Sequence, residues 1–235
     1  MVTQYNFEDS LKVIDEIKDL ALSDFVYTMG KENFKGNKNA PLLAQTSCVC
    51  VRIGEFNKKL SGFEIKAYSC LFSEITAILK SASSHLFTQY EGDLIISFFN
   101  TRFKTNIEEL IDIAAKINSI TEVICHKFAN PDSGSISCSI GIDYGATYFV
   151  DSSYADTDAR IVAFGPVRES SISLARKPDK TDGNIYIHEV IHKNLSEAYK
   201  QFFSADQTEE LPFYFANLIN TAMSSWLKNE KLKQK

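Results

Sequence analysis

The run HLFTQYEGDLIISFF, residues 85–99, decides how the chain folds. HLFTQY and LIISFF are rich in aromatic and β-branched residues, and EGD between them supplies the glycine and aspartate of a tight turn, so the stretch reads as a β-hairpin. Upstream, SCVCVRI (47–53) has the composition of a buried strand, and Phe63 to Lys80 carries apolar residues at helical spacing. Downstream, a helical pattern runs from Asn106 to about Phe128, and SISCSIGIDYGATYFV (135–150) reads as two strands with a turn around Tyr144 and Gly145. The order β-α-β-β-α-β is that of a ferredoxin-like α+β domain.

Beyond that unit the chain continues with a polar loop, DSSYADTDA, and a strand, RIVAFG, that leads into a helix of small residues, PVRESSISLARK. After the loop PDKTDG, a strand NIYI enters a helix, VIHKNLSEAYKQFF, so the core carries extra C-terminal strands and a helical extension. At the other end, Phe7, Leu11, Ile14, Ile17 and Leu20 fall at helical spacing and are followed by a linker-like MGKENFKGNKNAP. The expected organisation is an N-terminal helix and linker over 1–44 and a main domain over 45–235.

With 235 residues, 44% of them hydrophobic, the chain is long enough to bury a full core as one domain. Its net charge of -5 offers no basic surface to nucleic acid, and the lysine-rich tail LKNEKLKQK is a solvated helix end. No apolar run approaches the roughly 20 residues that cross a bilayer, and MVTQYNFEDS has no signal-peptide pattern, so neither a membrane nor nucleic acid is expected as partner and the cytoplasm is the expected compartment. Five cysteines, Cys48, Cys50, Cys70, Cys125 and Cys138, lie in apolar segments without CxxC spacing and read as reduced core residues.

IHEVIH (187–192) contains the His-Glu-x-x-His pattern of zinc proteases. That chemistry needs His188 and His192 on one face of a helix with Glu189 as base, but NIYI places His188 at a strand end. No histidine follows to supply a third ligand. No zinc is expected; the two histidines read as a strand-end residue and an exposed helix residue.

Strand SCVCVRI, helix, hairpin YEGDLIISFF, helix, SCSIGIDYG and then IVAFGPV opening a helix resemble, over roughly residues 45–200, the catalytic domain of class III nucleotidyl cyclases. Within that class the C-terminal segments EVIHKNLSEAYKQFF and FANLINTAMSSWL are most similar to the Pycsar pyrimidine (cytidylate or uridylate) cyclases of bacterial antiphage defence. The resemblance implies a nucleoside triphosphate as substrate, cyclic CMP or cyclic UMP as product, and a homodimer with its site between subunits. A catalytically silent homologue, sensing a nucleotide or partnering an active cyclase in a heterodimer, is the alternative.

The same resemblance implies two aspartates, one ending the first strand and one in the hairpin turn, that hold two Mg²⁺ or Mn²⁺ ions. Asp93 matches the second; an aspartate in a tight turn is also ordinary turn chemistry. At the first, VRIGEF places Arg52, with Glu55 the nearest acid. A unit cation about 4 Å from a divalent ion costs about 8 kcal/mol at an effective dielectric near 20, so an arginine does not replace a metal-binding carboxylate. Its fork does bind phosphate oxygens, unless the side chain simply turns outward. On the helix after FGPV, the family's ribose-orienting asparagine and its transition-state cation match Glu169 and Ser173, while a shifted register brings Arg176 into the cationic role. The positions that read a purine base match Gln89 and Val162, with Phe164 beside them at the turn, a set that does not select adenine or guanine.

Overall fold

The computed structural model describes residues 7–18, 42–54, 61–128, 136–151, 161–177, 183–206 and 212–233. The linker 29–41, Glu55, and most of the two polar loops after residues 151 and 177 lie outside them.

The first helix, α1 (Phe7–Lys18), is followed by β1 (Leu42–Ile53), α2 (Gly62–Lys80), β2 (His85–Glu91), β3 (Leu94–Phe99), α3 (Lys104–Lys127) and β4 (Cys138–Asp151). Strands β2, β3, β1 and β4 are neighbours in that order, all antiparallel, which is the ferredoxin-like arrangement expected. Then come β5 (Ile161–Phe164), α4 (Pro166–Ala175), β6 (Ile185–His188), α5 (Glu189–Asn194), α6 (Glu197–Lys200), β7 (Ser204–Asp206), β8 (Phe213–Ala216) and α7 (Thr221–Lys233). β6, β8 and β7 extend the sheet beyond β4, and β5 pairs with the far end of β4. Among the described residues, no helix is long and apolar enough to cross a membrane.

Both faces of the sheet are covered, and this explains LIISFF: all six residues of β3 are buried. On one face, Val49, Val51, Ile140, Ile142, Ile185 and Ile187 meet Leu71, Ile75 and Leu79 of α2 and Leu110, Ala114 and Ile117 of α3. On the other, Cys48, Cys50, Ile96, Phe98 and Phe149 meet Val167, Ile172 and Ala175 of α4 and Ala163 of β5. Each fully buried large aliphatic side chain contributes about 1.5–3 kcal/mol.

Three expectations are corrected. Residues 138–151 form one strand and not two, because β1 holds β4 in register from Leu42 opposite Phe149 to Ile53 opposite Cys138, leaving no break at Tyr144. The helix expected over 190–203 is two short ones, since Leu195 turns extended (φ -74, ψ 152) and is buried in the core. His192 is not exposed; its ring stacks on Tyr214 at 3.7 Å between centroids.

Helix α4 lies directly on β4. A Cβ at Gly141 would stand 2.1 Å from the Ser171 carbonyl oxygen and 2.6 Å from the Ala175 nitrogen, and one at Gly145 would touch Val167. Gly145, read as a turn residue, is instead part of this contact. Ser171 Oγ then donates to the Cys48 carbonyl (3.0 Å), tying helix to sheet.

Gly141→Ala is expected to lower stability by about 1–3 kcal/mol or more, because the new methyl meets backbone atoms. Gly62→Ala, with nothing within 4 Å of the added carbon, is expected to change it by less than about 1 kcal/mol. Urea unfolding of both variants checks the contrast. Burial also pushes the Cys48 thiol up to about 12 and raises Cys50 in the same direction. Neither is expected to react with a disulfide reagent at pH 8 until the chain is unfolded, which a thiol titration reads directly.

Candidate functional site

The hairpin turns in two residues: Glu91 pairs with Leu94, and Gly92 takes φ 60, a conformation that glycine adopts without strain. The turn carries Asp93 to the end of β1, where Ile53 N donates to the Asp93 carbonyl (2.9 Å). Arg52, opposite Leu94 on one side and Ser139 on the other, then places its Nε 3.2 Å from Asp93 Oδ2. The two expected residues meet as an ion pair, with side chains 37% and 32% exposed. Arg52 therefore does not turn away into solvent.

A second group gathers between β2 and β5. A cleft of about 740 Å³ is lined by Thr88, Gln89, Tyr90, Val162 and Arg168, among others. Gln89 Nε2 donates to the Ile161 carbonyl (3.0 Å), and Gln89 and Val162 both line this cleft. Phe164 does not line it and stacks on Tyr148 at 5.4 Å.

Arg168 was not singled out from the sequence, yet it lines this cleft together with Glu91. Burial works against its charge, but Glu169 and Glu91 outweigh that and raise its pKa. It binds Glu169 Oε1 at 2.5 Å and forms a close ion pair with Glu91 at the end of β2. One signal was present: a cation in the first turn of a helix opposes the helix dipole, and therefore calls for carboxylate partners.

The third group is the outer face of α4. Glu169, Ser173 and Arg176, spaced four and three residues apart, line a cleft of about 490 Å³ with Ile172 and Lys177. The expected residues are thus neighbours, but the position matched to an asparagine holds a carboxylate already engaged by Arg168.

Beneath α4 lies a polar cluster that sequence reading also missed. Asp143 is buried; Ser170 Oγ donates to its Oδ2 (2.5 Å), and Tyr144 N donates to its Oδ1 (2.8 Å). His188 Nδ1 lies 2.9 Å from Asp143 Oδ2 and 2.8 Å from Ser170 Oγ. Serine and aspartate meet the same ring nitrogen, whereas a nucleophilic relay needs them on opposite ones. The cluster is a clamp joining α4, β4 and β6. An acid inside the apolar run SIGIDYG was its signal, since a buried carboxylate requires partners.

No family model matches the chain. A uridylate cyclase of Treponema porcinum is 23% identical over 180 residues, covering 75% of this chain and 62% of that protein; the chain thus spans less than two thirds of that relative's length. A bacterial light-regulated adenylyl cyclase superposes with a TM-score of 0.64 at 13% identity, covering 94% of this chain and 66% of the other. The adenylyl cyclase CyaB from P. aeruginosa gives 0.60 at 12% identity, covering 75% and 95%. The chain has the α+β fold of class III nucleotidyl cyclase catalytic domains, and the resemblance to that class and its pyrimidine cyclases holds.

Among the described residues, the donors at the end of β1 do not fit the divalent ions implied by that fold. Asp93 faces a guanidinium, and among the described residues no three His, Cys, Asp or Glu side chains converge to hold a metal ion.

Because exposed pairs contribute little, Asp93→Ala is expected to cost less than about 1 kcal/mol. Asp143→Ala, which strands buried partners, is expected to cost about 1–3 kcal/mol. Urea denaturation of the two variants separates a residue kept for the fold from one kept for the site.

Proposed function

We propose that this chain binds a nucleoside triphosphate on a cyclase fold and does not cyclise it, serving as a nucleotide sensor or as the silent partner of an active cyclase subunit. The observation that carries this reading is the Arg52–Asp93 ion pair. Ring closure requires activating the ribose 3′-hydroxyl and neutralising charge on the transferring phosphoryl group. At the hairpin end, a guanidinium stands in the place of one metal-binding carboxylate. On α4, Glu169 and Ser173 stand where an amide and a cation are required, and Glu169 adds negative charge near an anionic substrate. Both halves of a site shared between two subunits therefore depart, so pairing with an identical copy does not complete it. The cleft holding Gln89, Val162 and Arg168 remains available to a base, and a pyrimidine suits it better than a purine because neither family purine reader is present.

A second reading is favoured by the similarity to a uridylate cyclase over 180 residues. In it the protein is a pyrimidine cyclase, releasing cyclic CMP or cyclic UMP as a second messenger in antiphage defence. Asp93 and an unidentified second acid would then hold Mg²⁺ or Mn²⁺ in a homodimer.

Incubation of the purified chain with each of the four ribonucleoside triphosphates and Mn²⁺ separates the two. The expected result is retained triphosphate binding with no cyclic product by mass spectrometry. Cyclic CMP or cyclic UMP formed in proportion to enzyme overturns the silent reading in favour of the cyclase.

A further inference from the structure

We propose that the end of β1 holds the polyphosphate of its nucleotide without a metal ion, the Arg52 guanidinium standing in the ion's place. This rests on the nucleotide-binding reading above and specifies how that site grips its ligand.

Arg52 commits only Nε to Asp93; among the described residues Nη1 and Nη2 have no hydrogen-bond partner. The Arg52 side chain is 37% exposed. Its base is rigid. Backbone pairing with Leu94 and Ser139 fixes residue 52 on both sides, and the hydrogen bond from Ile53 N to the Asp93 carbonyl locks the turn beside it. Asp93 thereby orients the guanidinium plane, and two parallel N–H groups with their planar geometry match two phosphate oxygens.

Two carboxylates with two divalent ions carry a net charge of +2, whereas an aspartate with an arginine is neutral, so the grip proposed here rests on the directed N–H groups of the guanidinium and not on net charge. A divalent ion approaching Asp93 meets the positive charge of Arg52 first. Magnesium, by neutralising the free triphosphate in solution, competes with the site and does not assist it.

Calorimetric titration of the full chain with CTP, UTP and inorganic tripolyphosphate, in EDTA and again in excess Mg²⁺, tests this. Binding in EDTA is expected to be at least as tight as in Mg²⁺, and tripolyphosphate is expected to displace the nucleotides. Arg52→Ala is expected to weaken binding about tenfold or more, the loss of a charge-assisted contact. Arg52→Lys recovers only part, because lysine offers a point charge and no fork. Triphosphate binding that requires Mg²⁺, unchanged affinity in a folded Arg52→Ala protein, or failure of tripolyphosphate to compete overturns this inference and leaves nucleotide binding standing. No binding of either nucleotide in either buffer overturns the nucleotide-binding reading as well. The wild-type comparison decides even if a variant does not fold.

Discussion

The carbonyl of Ser171 and the amide of Ala175 occupy the space where a side chain on residue 141 would stand. This backbone-to-backbone approach sets the distance and angle of α4 on the sheet, and much of the candidate site follows from it. With α4 seated at Gly141 and Gly145, Val167, Ile172 and Ala175 close the core on that face, and Arg168 reaches the cleft beside β2. Glu169, Ser173 and Arg176 are left on the outer face. The Asp143–Ser170–His188 clamp acts at the same junction, joining the helix to two adjacent strands through side chains.

Against that scaffold, the charges of the site form pairs within the chain. Arg52 faces Asp93, and Arg168 lies between Glu91 and Glu169. In a nucleotidyl transfer site, fixed charges are held ready for the charge that develops on the substrate. Here much of that capacity is already used between neighbours, and freeing Arg168 would expose a partly desolvated cation to two unpaired carboxylates. The pair at the hairpin is different because its guanidinium side chain is more exposed than that of Arg168 and, among the described residues, only one of its nitrogens is engaged. That difference makes the end of β1 the part of the site best able to receive an anion.

The sequence was informative wherever a signal is local. LIISFF, EGD and the apolar spacing of α2 and α3 report elements directly, because strands and helices repeat every 2 and about 3.6 residues. The resemblance put Arg52 and Asp93 at the two matched aspartate positions and so implied that they are neighbours. Glu169, Ser173 and Arg176 came from the resemblance, as the positions on the helix after FGPV that match the family's pattern. The failures share another cause: Tyr144–Gly145 looks like a turn in isolation, and VIHKNLSEAYKQFF looks like one helix. Pairing of β4 with β1 and burial of Leu195 override those local preferences.

By itself, then, the amino-acid order determined the α+β class, the succession of elements and the placing of an arginine where a metal-binding carboxylate was expected. Only the tertiary structure decided that this arginine grips Asp93 through its Nε, that Arg168 enters the cleft beside β2, and that Asp143 gathers Ser170 and His188 under α4. The reason is physical. Periodicity and turn chemistry act over a few residues, whereas these contacts join positions 41, 77, 27 and 45 residues apart, and arise only when the sheet brings distant segments within hydrogen-bond reach.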